Sequence, residues 1–166
     1  MEIITLKWKL QKDYGHWYIS LLENLNRRNR MSCMNGVIYY SHSYRPEDGK
    51  IVDYFGELIN KQNLILSLDP PSKSFSRAKL TRHLNNCDGM IAILNTRVNG
   101  VSPYILFEVQ TCIKAKKPLL VFIEDSLDDT IIPVRILQKR FSRNSFFHQI
   151  REHQHIIRHF CDYLGN

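Results

Sequence analysis

Three stretches of the chain, "NLILSLD" (63–69), "GMIAILN" (89–95) and "PLLVFIED" (118–125), are apolar almost from end to end and stop after a few residues. A strand with one wet face alternates apolar and polar residues, whereas a run apolar at nearly every position is buried on both faces. Helices packed on either side of a parallel sheet create that burial. "GVIYYS" (36–41) reads as a fourth strand, and the segments between these runs carry the helical period. "PEDGKIVDYFGELIN" (46–60) places Ile51, Phe55, Leu58 and Ile59 on one face, with Pro46 suited to a first turn and Glu47 and Asp48 to the positive end of a helix dipole. "RAKLTRHLNNC" (77–87) follows a proline-broken loop as a short helix. "YILFEVQTCIKAKK" (104–117) is a longer helix, preceded by Ser102 and Pro103 as N-cap and first-turn residue. The pattern predicts an α/β domain with a central parallel sheet of about five strands flanked by helices.

The flanks are less regular. "MEIITLKWKL" has the look of an edge strand, "YGHWYISLLENLNRR" of a helix, and "FFHQIREHQHIIRHFCDYL" of a closing amphipathic helix with Phe147, Ile150, Ile157, Phe160 and Leu164 partly in register. At 166 residues the chain is the size of one domain, 1–166, with an N-terminal extension (1–35), a core (36–125) and a C-terminal helical segment (126–166). No apolar run approaches the ~20 residues of a membrane span, and the start lacks the order of a signal peptide, so a cytoplasmic protein without membrane contact is expected. The net charge of +7 raises the question of nucleic acid, but its basic clusters (26–30, 114–117 and 138–143) fall in three separate segments without a recognition motif, so none is expected. Cys33, Cys87, Cys112 and Cys161 form no CxxC pair and read as reduced packing residues. His155 and His159 have the i, i+4 spacing of a zinc pair but no HExxH glutamate, and no metal is expected.

In parallel sheets of this kind the ligand sits beyond the carboxyl ends of the strands. The segments there are "SHSYRPED", "DPPSKSF" and "NTRVNGVSP". Ile105, Val109, Cys112 and Ile113 form the core face of the 104–117 helix, and Glu108 lies ~100° around from Val109, at its flank. Tyr104 is one turn earlier, so a ring and a carboxylate share the end of the helix nearest the site. A solvated glutamate paired with a surface cation is the plain alternative.

The order "YYSHSY", "SLDPPSKSFSRAKLTRHLNNCDGMIAIL", "SPYILFEVQTCIKAKKPLLVFIED" resembles the TIR (Toll/interleukin-1 receptor) domain, in particular its bacterial NAD-consuming members, over about Gly36 to Asp125. The most specific element is Ser102-Pro103-Tyr104-x-x-x-Glu108, similar to the family's "S-x-aromatic-x-x-x-E", whose glutamate carries NAD glycohydrolase activity. The resemblance implies a flavodoxin-like/TIR-like sheet, Glu108 as the catalytic residue, and Ser41, Ser43, Tyr44, Arg45, Asp69 and Tyr104 as substrate-binding residues. It also implies NAD+ as substrate with no cofactor, homo-oligomers formed through a BB-type loop at Pro70 to Phe75, and a downstream effector in a signalling or antiphage defence pathway. Two departures stand out: "DPPSKSF" lacks the usual BB-loop glycine, and Tyr104 replaces a common tryptophan.

The chemistry suits these groups. Cleaving the nicotinamide–ribose bond expels a neutral base from a cationic pyridinium, so the developing ribosyl cation needs a carboxylate more than the leaving group needs an acid. Tyr104 would stack on a flat ring, and Arg45 would neutralise diphosphate charge. Two rivals share these residues. "CDGMIAILNTRVNG" followed by "FEVQTCIKAKKP" also resembles nucleoside deoxyribosyltransferases, which would exchange free bases and leave NAD untouched. A non-catalytic TIR interaction module would make Glu108 surface decoration.

Overall fold

A computed structural model describes residues 36–69 and 76–164. The strand and helix expected at the N-terminus, the Pro70 to Phe75 loop, and with them the extent of the single domain over 1–166, lie outside or partly outside these residues.

Five strands, β1 (Val37–Ser41), β2 (Ile65–Ser67), β3 (Gly89–Leu94), β4 (Leu119–Glu124) and β5 (Leu137–Phe141), form one sheet in the order β2-β1-β3-β4-β5. Every pairing is parallel. Four helices connect or close it: α1 (Gly49–Asn60), α2 (Arg77–Asn85), α3 (Pro103–Lys114) and α4 (Ile150–Leu164). This is the flavodoxin-like arrangement, in which the chain reverses its direction of winding between β1 and β3 and opens a crevice at their carboxyl ends.

The two apolar faces are separate cores. Tyr39, Met90, Ala92, Leu94, Val121 and Ile123 meet α2 and α3, while Ile38, Tyr40, Ile91, Ile93, Leu120 and Phe122 meet α1 and α4. The period-two alternation of each strand splits the residues in this way, and the fully buried β3 and β4 explain their unbroken apolar sequence. Gly89 is required where α4 closes over β3, since a Cβ there would come within 2.8 Å of the Leu164 side chain and 3.0 Å of the Pro118 carbonyl.

Several boundaries differ from expectation. Pro46–Asp48 form a 3-10 turn and α1 begins at Gly49. Ser102 stands at the N-cap of α3, but its side chain makes no capping bond. The fifth strand of the described sheet is "LQKRF", a segment that reads as a basic cluster: it is an edge, where Lys139 and Arg140 are tolerated and discourage pairing with another chain. In the closing helix Ile157 and Phe160 are buried, whereas Phe147 precedes it and is exposed. Cys87 and Cys112 are free and buried, but Cys161 is disulfide-bonded, which corrects the expectation of four reduced thiols. Among the described residues no helix is long and apolar enough to cross a membrane.

Candidate functional site

Residues of β1 with odd numbers face α3, and two of them carry hydroxyls. Tyr39 donates from its phenol to Oε1 of Glu108 at 2.8 Å, and Ser41 donates to Oε2. Both oxygens of one carboxylate are therefore held by side chains from the strand next to the switch point. Burial pushes the Glu108 carboxyl up from its usual range, the two hydroxyls oppose that rise by stabilising the anion, and the charge of Asp69 adds to it. Tyr39 is itself driven far above the ordinary phenol value, by burial first and then by Glu108, so it remains a donor.

Tyr44, half exposed on the loop after β1, donates to the backbone carbonyl of Asp69 at the end of β2. Its ring lies 4.6 Å from that of His42. Asp69 is ion-paired with Lys79 of α2. Tyr104 opens α3 with an exposed ring one turn before Glu108. The structure thus brings Ser41, Tyr44, Asp69 and Glu108 to one corner, with Tyr104 at its rim.

Ser43 and Arg45 belong to a different set of contacts. Ser43 Oγ accepts from the Arg45 backbone N–H at 3.2 Å. The Arg45 guanidinium bonds the buried Asp48 through Nε at 2.9 Å, the Thr96 carbonyl at 3.1 Å, and lies 3.3 Å from Glu47. Arg143, from the loop after β5, donates to both oxygens of Glu124 at 2.9 Å and to Asp48 at 2.8 Å. Glu124 also accepts from the Thr96 N–H at 2.8 Å. These two arginines and two buried acids tie the loops after β1, β3 and β5 to the end of β4. Arg45 therefore points at carboxylates, not at the Glu108 corner.

Among the described residues, two hollows lie away from Glu108. A cavity of about 720 Å³ opens at the amino ends of β4 and β5, lined by Lys117, Leu119, Arg135, Leu137, Phe160 and Tyr163. A groove of about 400 Å³ runs along α2, lined by Lys79, Arg82, His83 and Asn86. The larger cavity brings together no paired acid and donor set, whereas the Glu108 corner does. Among the described residues no group of three or more His, Cys, Asp or Glu side chains could hold a metal ion.

Sequence reading missed Tyr39, Lys79 and Arg143. Tyr39 carried a usable signal, since "YYS" puts Tyr39 and Ser41 on one face of a strand.

No family model matches the chain, and no curated protein matches it. Solved structures do. A conserved protein from Enterococcus faecalis is 13% identical with a TM-score of 0.49, covering 71% of this chain and 98% of its own. FerB, a flavoenzyme NAD(P)H:(acceptor) oxidoreductase from Paracoccus denitrificans, is 11% identical with a TM-score of 0.49, covering 78% of this chain and 97% of its own. The Flv1 flavodiiron core from Synechocystis is 11% identical with a TM-score of 0.50, covering 92% of this chain and 41% of its own. At such identities the likeness is one of fold. One expectation is corrected, that of no cofactor: the structure matched at a TM-score of 0.50 is a flavodiiron core, so the absence of a cofactor does not follow from the fold.

Proposed function

We propose that the protein cleaves the N-glycosidic bond between nicotinamide and ribose in NAD+, releasing nicotinamide and ADP-ribose or a cyclic product. The observation that carries this reading is the clamping of both Glu108 oxygens by the Tyr39 and Ser41 hydroxyls at the carboxyl edge of the sheet. A carboxylate held in this way is preorganised, and its remaining lone pairs are free for ribose hydroxyls. As the C1′–N bond breaks, its electron pair leaves with the nicotinamide nitrogen, which becomes neutral. The positive charge left on the ribose is stabilised by Glu108, and water, or a nucleophile within the substrate, closes on C1′. When water attacks, its surplus proton is lost to solvent. Tyr104 and Tyr44 offer exposed rings for the flat base. Because the Arg45 guanidinium is engaged by Asp48, Glu47 and Thr96, its role in this reading is to hold the loop that carries Tyr44.

Resemblance to TIR domains supports the same chemistry, and with it self-assembly, a cytoplasmic setting and a place in signalling or defence are part of the proposal. Identifying the products of NAD+ by mass spectrometry tests it. The nucleoside deoxyribosyltransferase reading uses the same Glu108, and base exchange without nicotinamide release would favour it. A purified protein that does neither supports an interaction module.

A flavin is the second candidate ligand for this edge, suggested by the names of the fold's flavoproteins. The exposed rings of Tyr44 and Tyr104 stand at this edge, but the Arg45 and Arg143 guanidiniums near the start of α1 are already engaged by Glu47, Asp48 and Glu124, so neither is free to meet a phosphate there. Quenching of flavin fluorescence by the purified protein tests this directly, and no step is drawn through it.

A further inference from the structure

With Arg45 and Arg143 both committed to carboxylates, the diphosphate of a dinucleotide needs its countercharge from elsewhere. The groove along α2 has it. Lys79, Arg82, His83 and Asn86 fall at i, i+3, i+4 and i+7, so they line one face of the helix, while Leu80 and Leu84 turn to the core. Among the described residues the Arg82 guanidinium has no ion-pair or hydrogen-bond partner, and its fork matches phosphate oxygens.

Two contacts join this groove to the Glu108 corner. The His83 ring lies 6.2 Å from the ring of Tyr39, whose hydroxyl holds Glu108. Lys79 pairs with Asp69, whose carbonyl receives the Tyr44 hydroxyl. The basic face of α2 thus lies one tyrosine ring away from the Glu108 carboxylate.

We propose that the α2 groove formed by Lys79, Arg82 and His83 is the diphosphate subsite, with Arg82 as its main anion-binding group, so that the site selects dinucleotides over nucleosides. The proposal rests on the glycosidic reading of Glu108. The subsite gives that reading its substrate class, because a base-exchanging nucleoside enzyme has no use for a cationic groove beside its carboxylate.

Arg82→Gln tests it, since an exposed side chain without partners can be changed without disturbing the core. The parent and the variant are compared on NAD+ and on nicotinamide riboside, which has the same glycosidic bond and no phosphate, and their binding of ADP is measured by calorimetry. Loss of a charged hydrogen bond to phosphate should raise KM for NAD+ and Kd for ADP about tenfold, with a much smaller effect on nicotinamide riboside. Equal shifts on both substrates, or no shift in KM and no change in ADP binding, overturn the subsite. If the parent cleaves neither substrate yet binds ADP in an Arg82-dependent way, the subsite stands and the glycosidic reading falls. If the parent cleaves NAD+ and the variant matches it throughout, the reverse holds.

Discussion

The phenol of Tyr39 on β1 and Oε1 of Glu108 on α3 stand 2.8 Å apart across 69 positions of sequence. Strand alternation and helix docking together produce this contact. It gives a partly buried carboxylate a neutral donor that stabilises its charge without cancelling it.

Removing that donor should make Glu108 harder to ionise. Tyr39→Phe keeps the ring in its core and takes away one hydroxyl, so burial acts on the carboxyl with less opposition. The expected result is an acid limb of the pH–rate profile displaced to higher pH, with a stability change of about 1 kcal/mol. An acid limb in the same place would show that the contact does not tune Glu108.

Glu108→Gln separates chemistry from folding. Loss of a preorganised charge at the reacting centre should lower nicotinamide release ~10²–10³-fold. Stability should hardly move. The folded state raises the Glu108 pKa, so it binds the proton more tightly than the unfolded chain and loses stability as pH rises through the folded value. A neutral amide lacks that penalty but replaces one accepting oxygen with a donor, so one of the Tyr39 and Ser41 hydroxyls loses its acceptor, and thermal melts at pH 7 should stay close to the parent's. A variant that melts normally and turns over as fast as the parent would remove Glu108 from catalysis.

How much of this could be read beforehand follows from what each feature depends on. β3 and β4 were plain because burial on both faces leaves a mark in every residue. Glu108 was visible because it breaks the flank of an otherwise apolar helix face. β5 was not, because an edge strand carries Lys139 and Arg140 and looks like a surface cluster. Arg143 was hidden for another reason: its partners Asp48 and Glu124 lie 95 and 19 positions away, and only the sheet order brings their loops together. The same network redirects Arg45, whose charge alone suggested a phosphate.

His153 predicts a second pH dependence, unrelated to the site. It is fully buried on α4, packed against Phe55 and Phe122, with Nδ1 2.9 Å from the Tyr54 hydroxyl. Burial pushes its pKa down to about 4 from 6.5, with Lys139 also lowering it and Glu152 opposing. A histidine with a depressed folded pKa contributes stability above its unfolded value, and that contribution is lost as pH falls from 6.5 toward 4. Over that window it should cost up to about 3 kcal/mol. His153→Phe should flatten that part of the curve relative to the parent in urea titrations, while carboxylates shared by both proteins cancel. Parallel curves for the two proteins would mean that His153 does not titrate on unfolding.

Arg143 tests whether the ion network holds the site or merely decorates it. Asp48 is fully buried and Glu124 nearly so, and Arg143 bridges both through three bonds of 2.8–2.9 Å, with Arg45 as the second cation on Asp48. Taking away one partner of a buried pair usually costs 3–5 kcal/mol, because the remaining charges keep their desolvation penalty. Arg143 itself is about a third exposed, so screening and water entry should reduce this to about 2–3 kcal/mol for Arg143→Gln. Arg143→Lys keeps the charge but not the fork that spans Glu124 and Asp48, and should recover only part of the loss. The loop bearing Tyr44 is tied to Asp48 through Ser43 and Arg45, so KM for NAD+ should rise with the loss of stability, and the lysine variant should fall between parent and glutamine in both. A glutamine variant that unfolds at the parent's urea midpoint would show that Asp48 and Glu124 are accommodated without Arg143, and the loop would then owe its position to Arg45 and the Tyr44–Asp69 bond.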